Sequence, residues 1–153
     1  MGTARRPQSA FEDDRRPLRA MVVDDHPLNR LVMRTLLAES GCAVTVAETG
    51  EEAVRLACRQ AFDLVVMDLN LPGITGDEAA AAIRRAGASR NAFIARWSTD
   101  ADGRLSGALY DGALPKPIRY AELTATVALA HRRMVNRAES SRRSRADSDR
   151  RPL

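Results

Sequence analysis

Lysine is nearly absent from this sequence, because 23 of its 24 basic side chains are arginine and the single lysine is Lys116. Cysteine and histidine are scarce, with two residues of each, which disfavours a disulfide framework and a histidine-built metal site. No apolar run reaches the roughly 20 residues that span a bilayer, and no apolar stretch follows the polar N-terminus as in a secretion signal. We therefore expect a soluble, cytoplasmic protein with reduced thiols.

The net charge of +4 is divided unevenly along the chain. Residues 131–153 carry eight arginines against three acids, or +5, and residues 1–19 carry five arginines against three acids, or +2. The remaining residues, 20–130, therefore carry −3. An acidic body argues against a nucleic-acid-binding domain, and it leaves the basic C-terminal tail as the only candidate for such contacts.

Short apolar runs alternate with helical patterns between two polar ends. We predict a disordered N-terminal arm over 1–18, a folded domain over 19–135 and a disordered Arg/Ser-rich tail over 136–153. The predicted strands are Ala20–Val23, Ala43–Val46, Asp63–Met67, Ala92–Ala95 and Gly112–Pro115. The predicted helices cover 28–40, 49–60, 75–85, 101–109 and 120–135, of which the fourth is short and poorly patterned.

This alternation predicts an α/β domain in which a parallel sheet is covered by helices on both faces. The unbroken apolarity of Leu64–Met67 is typical of a central strand that is buried on both sides. In such sheets, ligands bind outside the carboxyl ends of the strands. Three aspartates are expected at that edge, with Asp24 and Asp25 after the first strand and Asp68 after the third.

Three neighbouring carboxylates repel one another unless a cation or protons intervene. Mg²⁺ suits such a site, because it prefers oxygen ligands and retains waters that phosphoryl oxygens can replace. The site has no Ser/His or Cys/His pair, so a carboxylate is the expected nucleophile, and Asp68 is favoured because a flexible turn follows it.

Lys116 lies between two prolines at the end of the fifth strand, on the same edge as the acids. In a chain that otherwise uses arginine, a single lysine suggests a site that needs a compact ammonium able to reach a phosphoryl oxygen. A hydroxyl at the end of the fourth strand, either Ser98 or Thr99, is expected to bond another phosphoryl oxygen.

Three segments together resemble the receiver domain of two-component response regulators, over roughly residues 19–130. They read MVVDDHPLNR, VVMDLNLPGITGDEA and LPKP. The resemblance implies a flavodoxin-like, doubly wound, five-stranded parallel sheet of (βα)5 type with strand order 2-1-3-4-5. It also matches Pro72 and Gly76 to the loop after the phosphoacceptor. The X-Pro bond after Lys116 is commonly cis in such a turn, although cis is the minority state for X-Pro bonds generally.

The resemblance also implies a role for each site residue. Asp68 would accept the phosphoryl group. Mg²⁺ would be held directly by Asp25, Asp68 and the backbone carbonyl of Asn70, with Asp24 acting through water. Lys116 would pair with the phosphoryl group.

The chain departs from the receiver pattern between the fourth and fifth strands. The segment from Ser98 to Lys116 is short by about one helical turn, which implies a shortened fourth helix. Ala113 replaces the aromatic switch residue expected three positions before the lysine, and Tyr110 is nearby but out of register. We hypothesise that residues 96–112 reorder on phosphorylation and transmit the signal by a less usual route.

The sequence therefore predicts a phosphoacceptor signalling protein rather than an enzyme. Its phosphoryl donor would be a histidine kinase or a His-phosphotransfer protein, its output a protein–protein contact, and its state a monomer or weak homodimer. One alternative is a degenerate receiver that only binds partners, and another is a nucleic-acid-binding regulator that uses the arginine-rich tail. A phosphatase of the haloacid dehalogenase type is disfavoured, because such enzymes require a second aspartate where this chain has Asn70.

Overall fold

The computed structural model describes residues 16–85, 87–99 and 109–150. These residues form five strands and four helices. In chain order the elements are β1 (Arg19–Val23), α1 (Pro27–Glu39), β2 (Ala43–Ala47), α2 (Gly50–Arg59), β3 (Leu64–Asp68), α3 (Gly76–Arg85), β4 (Phe93–Ser98), β5 (Gly112–Pro115) and α4 (Tyr120–Ser148). The short helix predicted over 101–109 falls, except for its last residue, outside the described part of the chain.

The five strands form one parallel sheet in the order β2-β1-β3-β4-β5, which confirms the predicted flavodoxin-like topology. All five residues of β3, the central strand, are buried. Its alternating side chains divide the core, because Leu64 and Val66 pack with residues of α1 and α4. Val65 and Met67 pack with residues of α2 and α3 on the opposite face. The sheet therefore has a helical layer on each side.

Two helix boundaries follow from local sequence signals. Thr49 begins α2 as predicted, since its side-chain oxygen accepts the Glu52 backbone N–H at 3.1 Å. The Glu52 carboxylate reaches back to the N–H of Glu48 at 3.0 Å. After α1, Gly41 has a φ of 86°, a left-handed conformation that glycine adopts without strain and that turns the chain toward β2.

The predicted boundaries of the two polar ends are wrong in part. Arg16 forms an ion pair with Asp63 at 2.7 Å and Leu18 is buried in the core, so the end of the predicted arm belongs to the domain. The tail predicted to be disordered from residue 136 instead continues α4 to Ser148. The chain has no proline or glycine between Gly112 and Pro152 except Pro115 and Pro117, so nothing in residues 136–148 stops the helix.

Within the residues that the structure describes, no helix has both the length and the apolarity needed to cross a bilayer.

Candidate functional site

The carboxyl ends of four strands bring the predicted site residues to one edge of the sheet. Asp24 follows β1, Asp68 is the last residue of β3, Ser98 is the last residue of β4, and Lys116 follows β5. Because neighbouring parallel strands end at the same edge, residues far apart in sequence become neighbours there. The peptide bond between Lys116 and Pro117 is cis, which is the minority state of X-Pro bonds generally.

Asp24 is fully buried and its carboxylate is held from several directions. Its Oδ1 accepts the backbone N–H of His26 at 2.8 Å, which sets the turn into α1. Its Oδ2 accepts hydrogen bonds from Lys116 Nζ at 3.0 Å and from Asn29 Nδ2 at 3.3 Å. The guanidinium of Arg30 donates to the Asp24 backbone carbonyl at 2.8 Å. These contacts fix the position of a charge that would otherwise be costly to bury.

Asp68 is 4% exposed and shares the same lysine. Its Oδ1 lies 3.2 Å from Lys116 Nζ and also accepts the backbone N–H of Asn70 at 3.2 Å. Burial raises the pKa of the Asp68 carboxyl, although the Asn70 N–H opposes this; the nearby charge of Asp24 raises it further, and Lys116 lowers it. A further positive charge beside Asp68, such as a bound cation, would therefore favour the ionised form of this carboxylate.

The three predicted acids are brought together in the structure. One carboxylate oxygen from each of Asp24, Asp25 and Asp68 lies within 4.8 Å of the other two. Asp25 is exposed while Asp24 and Asp68 are buried, so the cluster opens to solvent on the Asp25 side. Hard oxygen donors with an open side fit Mg²⁺, which retains waters when bound. Asn70 is adjacent to the cluster through its N–H, and the role of its carbonyl stays a prediction.

The two candidate hydroxyls differ in burial. Ser98 is 7% exposed, and its backbone carbonyl accepts the N–H of Lys116 at 2.9 Å. Thr99 is the next residue and is exposed. The strand geometry thus ties Ser98 directly to the backbone of the lysine, whereas Thr99 lies beyond the end of the strand.

The loop after Asp68 is shaped by a close backbone approach at Gly76. A Cβ atom at Gly76 would overlap the Asp68 backbone carbonyl oxygen and would lie 2.9 Å from the Leu69 Cα. The N–H of Gly76 donates to the Leu69 carbonyl at 3.2 Å. Glycine at the start of α3 therefore lets the helix pack directly against the backbone of Asp68, which explains the second glycine, Gly76, in the GITGDEA segment.

The switch position differs from the receiver pattern, as the sequence indicated. Ala113 is exposed in β5, while Tyr110 is buried and donates to Asp77 Oδ1 at 2.5 Å. Burial strongly raises the pKa of the Tyr110 hydroxyl, and the adjacent Asp77 carboxylate raises it further, so this hydroxyl stays a hydrogen-bond donor at neutral pH. Tyr110 therefore connects the segment before β5 to the first turn of α3.

Sequence reasoning missed three contacts at the site. Asn29 and Arg30 belong to the MVVDDHPLNR segment, but their contacts with Asp24 could not be inferred from spacing alone. Trp97 had no predicted role, yet its ring lies against the Lys116 ammonium. Trp97 stands opposite Asp68 in the β3–β4 pairing, a register that the structure shows and the sequence spacing does not.

Comparisons with known proteins agree with this geometry. Residues 20–128 match the family model described as the response regulator receiver domain. The sensor protein GacS of Pseudomonas syringae is 37% identical over 116 residues, and the match covers 71% of this chain but 13% of GacS. The virulence sensor protein BvgS of Bordetella pertussis is 39% identical over 110 residues, covering 66% of this chain and 9% of BvgS. This chain thus spans a small part of these relatives.

Two solved structures share the fold. One is the receiver domain of the Pseudomonas aeruginosa sensor histidine kinase PA1611, with a magnesium ion coordinated in its active site cleft. Its TM-score is 0.68 at 30% identity, covering 77% of this chain and 98% of that one. The chemotaxis response regulator CheY4 of Vibrio cholerae has a TM-score of 0.68 at 25% identity, covering 74% and 98%.

The fold and the acid cluster define a CheY-like α/β signalling domain. This chain belongs to the response regulator receiver family, whose members are signalling modules of two-component systems.

Proposed function

We propose that Asp68 accepts a phosphoryl group from a phosphohistidine in a Mg²⁺-dependent phosphorelay. The observation that carries the proposal is the position of the Lys116 ammonium, 3.0 Å from Asp24 and 3.2 Å from Asp68. A cation held between two carboxylates, beside a third at the open side, matches the demands of phosphoryl transfer. That reaction depends on positioning and charge neutralisation more than on covalent help.

The roles of the residues follow from their positions. Asp25, Asp68 and the Asn70 carbonyl would hold Mg²⁺ directly, and Asp24 would act through water. When bound, Mg²⁺ would offset charge on the transferred group. Lys116 would pair with a phosphoryl oxygen, and Ser98 or Thr99 would donate a hydrogen bond to another. Ser98 is the stronger candidate, because its carbonyl is bonded to Lys116 N–H.

Asp68 Oδ2 is the expected attacking atom. In the part of the chain that the structure describes, the polar contacts of this carboxylate fall on Oδ1. Oδ2 would form a bond to phosphorus while the phosphorus–nitrogen bond of the donor breaks, and the electron pair would return to the imidazole ring. The aspartyl phosphate carries about −1.5 to −2 charges at neutral pH, against −1 for the ionised carboxylate, and Lys116 is placed to offset the added charge.

An exposed apolar stripe on α1 fits a phosphodonor partner. Leu28, Leu31 and Val32 are 60%, 58% and 40% exposed, and their spacing places them on one face of the helix. The stripe begins just after Asp24 and Asp25, so a helical partner seated on it would bring its phosphohistidine to the site. A histidine kinase or a His-phosphotransfer protein would supply such a surface, and output would follow through another protein contact.

Labelling from acetyl phosphate tests the chemistry at Asp68. Wild-type protein with Mg²⁺ should gain one acid-stable, base-labile phosphoryl group, and Asp68→Ala should gain none. Asp147→Asn, an exposed acid at the far end of α4, is the matched control and should label normally. Labelling that persists in Asp68→Ala, or that proceeds without a divalent cation, would contradict the proposal.

Substitutions on α1 test the proposed docking. Leu31→Ser should slow transfer from a phosphorylated His-phosphotransfer protein and leave labelling from acetyl phosphate unchanged. Leu129→Ser changes another exposed leucine, 49% exposed on α4, and should slow neither reaction. Equal effects of the two substitutions would exclude the α1 stripe as the docking surface.

A further inference from the structure

The only tryptophan and the only lysine of this chain contact each other beside Asp68. Lys116 Nζ lies 4.6 Å from the centroid of the Trp97 ring, within the range of a cation–π interaction. The Trp97 Nε1 donates to the backbone carbonyl of Pro115 at 3.1 Å. One indole therefore contacts the lysine ammonium and also the residue that directly precedes the lysine.

The indole is itself held firmly. Trp97 is 3% exposed and belongs to the core cluster on the α1 and α4 face of the sheet. It stands opposite Asp68 in the β3–β4 pairing and opposite Leu114 in the β4–β5 pairing. The phosphoacceptor, the tryptophan and the strand that leads to Lys116 thus lie side by side, in fixed register.

Lys116 contacts two carboxylates and one aromatic ring, and a bound cation or phosphoryl group would compete only for the carboxylates. Its two carboxylate partners, Asp24 and Asp68, belong to the acid cluster that suits a divalent cation. A carboxylate oxygen that ligates a cation or is bonded to a phosphoryl group interacts less with the Lys116 ammonium. The face of the Trp97 ring takes no part in that competition, because an indole ring offers neither a hard oxygen ligand nor a phosphoryl acceptor.

We infer that Trp97 is a positioning residue. It keeps the Lys116 ammonium beside Asp68 when the carboxylates of Asp24 and Asp68 bind a cation or a phosphoryl group in place of the ammonium. This inference rests on the proposed phosphoacceptor function. The ring face holds Nζ, the indole N–H holds the Pro115 carbonyl, and Ser98 holds the lysine N–H at 2.9 Å. The lysine side chain is therefore already oriented toward the phosphoryl group, so less conformational entropy is lost when the transfer takes place.

A double-mutant cycle on labelling from acetyl phosphate tests this role. Trp97→Leu removes both the aromatic ring and the indole N–H, and it should slow labelling by about fivefold. Trp97→Phe keeps a ring face and should slow labelling less. In a Lys116→Met background, the same Trp97→Leu change should have little further effect on the rate. The apparent Mg²⁺ affinity of Trp97→Leu should stay close to the wild-type value, because this substitution leaves the three aspartates unchanged.

Tryptophan emission reports the contact without any phosphodonor, since the chain has a single tryptophan. Lys116→Met should change the emission of Trp97, and Arg119→Met should leave it unchanged. An unchanged emission in Lys116→Met, or an equal rate loss from Trp97→Leu with and without Lys116, would overturn the inference while labelling of wild type upholds the proposed function. Absence of labelling in wild-type protein would instead overturn the proposed function and this inference together.

Discussion

Lys116 Nζ lies 3.0 Å from Oδ2 of Asp24, a carboxylate with no exposed surface. In the described part of the chain, removal of this ammonium leaves the buried Asp24 carboxylate supported by its hydrogen bonds from His26 and Asn29. We expect Lys116→Met to lower the free energy of unfolding by about 3 kcal/mol in metal-free buffer, since an unpaired buried charge is costly. Mg²⁺ should restore part of this loss, and urea denaturation with and without Mg²⁺ measures both effects.

Arg119→Met provides the matched control for this change. Arg119 pairs with Glu122 at 3.6 Å, and its side chain is 76% exposed. An exposed pair of this kind contributes about 0.5 kcal/mol or less. If the two substitutions destabilised the protein equally, the buried pair between Lys116 and Asp24 would not have the importance that its geometry indicates.

Asp68→Asn should stabilise the metal-free protein while it abolishes phosphorylation. The raised pKa of this carboxyl, caused first by burial, means that its charge is unfavourable in the folded state. The amide removes that charge and its repulsion with Asp24, so we expect a gain of about 1 kcal/mol at neutral pH, typical when a functional site gives up strain.

Thermal unfolding without Mg²⁺ measures this gain. Addition of Mg²⁺ should raise the melting temperature of wild-type protein more than that of Asp68→Asn, because the variant has one carboxylate fewer. The exposed substitution Asp147→Asn should leave both quantities unchanged. A lower melting temperature for Asp68→Asn in metal-free buffer would contradict the prediction.

Most of the fold was predictable because its signals are local or statistical. The fully buried β3 appears in the sequence as Leu64–Met67, and the Thr49 cap appears with Glu52 three residues later. The end of α4 was not predictable from burial patterns, because residues 141–150 are exposed on every side. A polar helix without a buried face resembles a polar tail in composition.

The acids of the site were predictable because the edge of a parallel sheet collects the residues that follow its strands. Asp24, Asp68 and Lys116 each follow or end a strand, so their order along the chain was sufficient. The contact between Trp97 and Lys116 depends instead on strand register and on side-chain direction. Neither is visible in sequence spacing, and for this reason Trp97 had no predicted role.

The pH dependence of stability should report Asp111, which connects three elements. Its carboxylate accepts hydrogen bonds from Arg84 on α3 at 2.5 Å, Ile94 N–H on β4 at 3.0 Å and Arg133 on α4 at 2.8 Å. Burial alone would raise the pKa of this carboxyl, but the hydrogen bonds from Arg133, Ile94 and Arg84 hold it below its usual value. A depressed carboxyl pKa stabilises the fold above the unfolded value of about 3.9.

The stability that Asp111 provides is lost as pH falls through its folded-state pKa. We expect Asp111→Asn to cost about 1 to 2 kcal/mol near neutral pH, and the difference from wild type to shrink below about pH 4. Urea denaturation at a series of pH values measures this difference. A cost that is constant down to acid pH would show that lost packing, and not the charge, is responsible.

Truncation of α4 should separate its packed part from its exposed part. Residues 141–150 are exposed, so a chain that stops after Ser140 should keep its stability within about 0.5 kcal/mol while its helical circular dichroism falls. A chain that stops after Val135 also loses Arg137, which lies 3.3 Å from Asp63, an aspartate only 2% exposed. We expect this shorter chain to lose about 1 kcal/mol more, because Arg16 remains as the other partner of Asp63.

Arg137→Ala in the full-length chain is the control for this comparison. It should reproduce most of the difference between the two truncations. If the chain that stops after Ser140 were as unstable as the shorter one, then the end of α4 would contribute to folding more than its exposure indicates.

Gly76→Ala should damage phosphorylation more than it damages folding. The added Cβ would overlap the Asp68 carbonyl oxygen and approach the Leu69 Cα at 2.9 Å, so backbone atoms have to move. We expect a loss of about 2 kcal/mol in unfolding free energy, as for other overpacked sites. Labelling should fall by about tenfold or more, since the displaced atoms belong to the phosphoacceptor itself.

Gly112→Ala is the matched control, because among the residues that the structure describes its Cβ would meet only the ring edge of Phe93 at 3.2 Å. A side-chain ring can shift by a few tenths of an ångström, whereas the Asp68 backbone is fixed by its strand pairing with β4. Gly112→Ala should therefore label at nearly the wild-type rate. Wild-type labelling by Gly76→Ala would show that the loop after Asp68 moves without disturbing the carboxylate, and that the position of Asp68 is set by β3 alone.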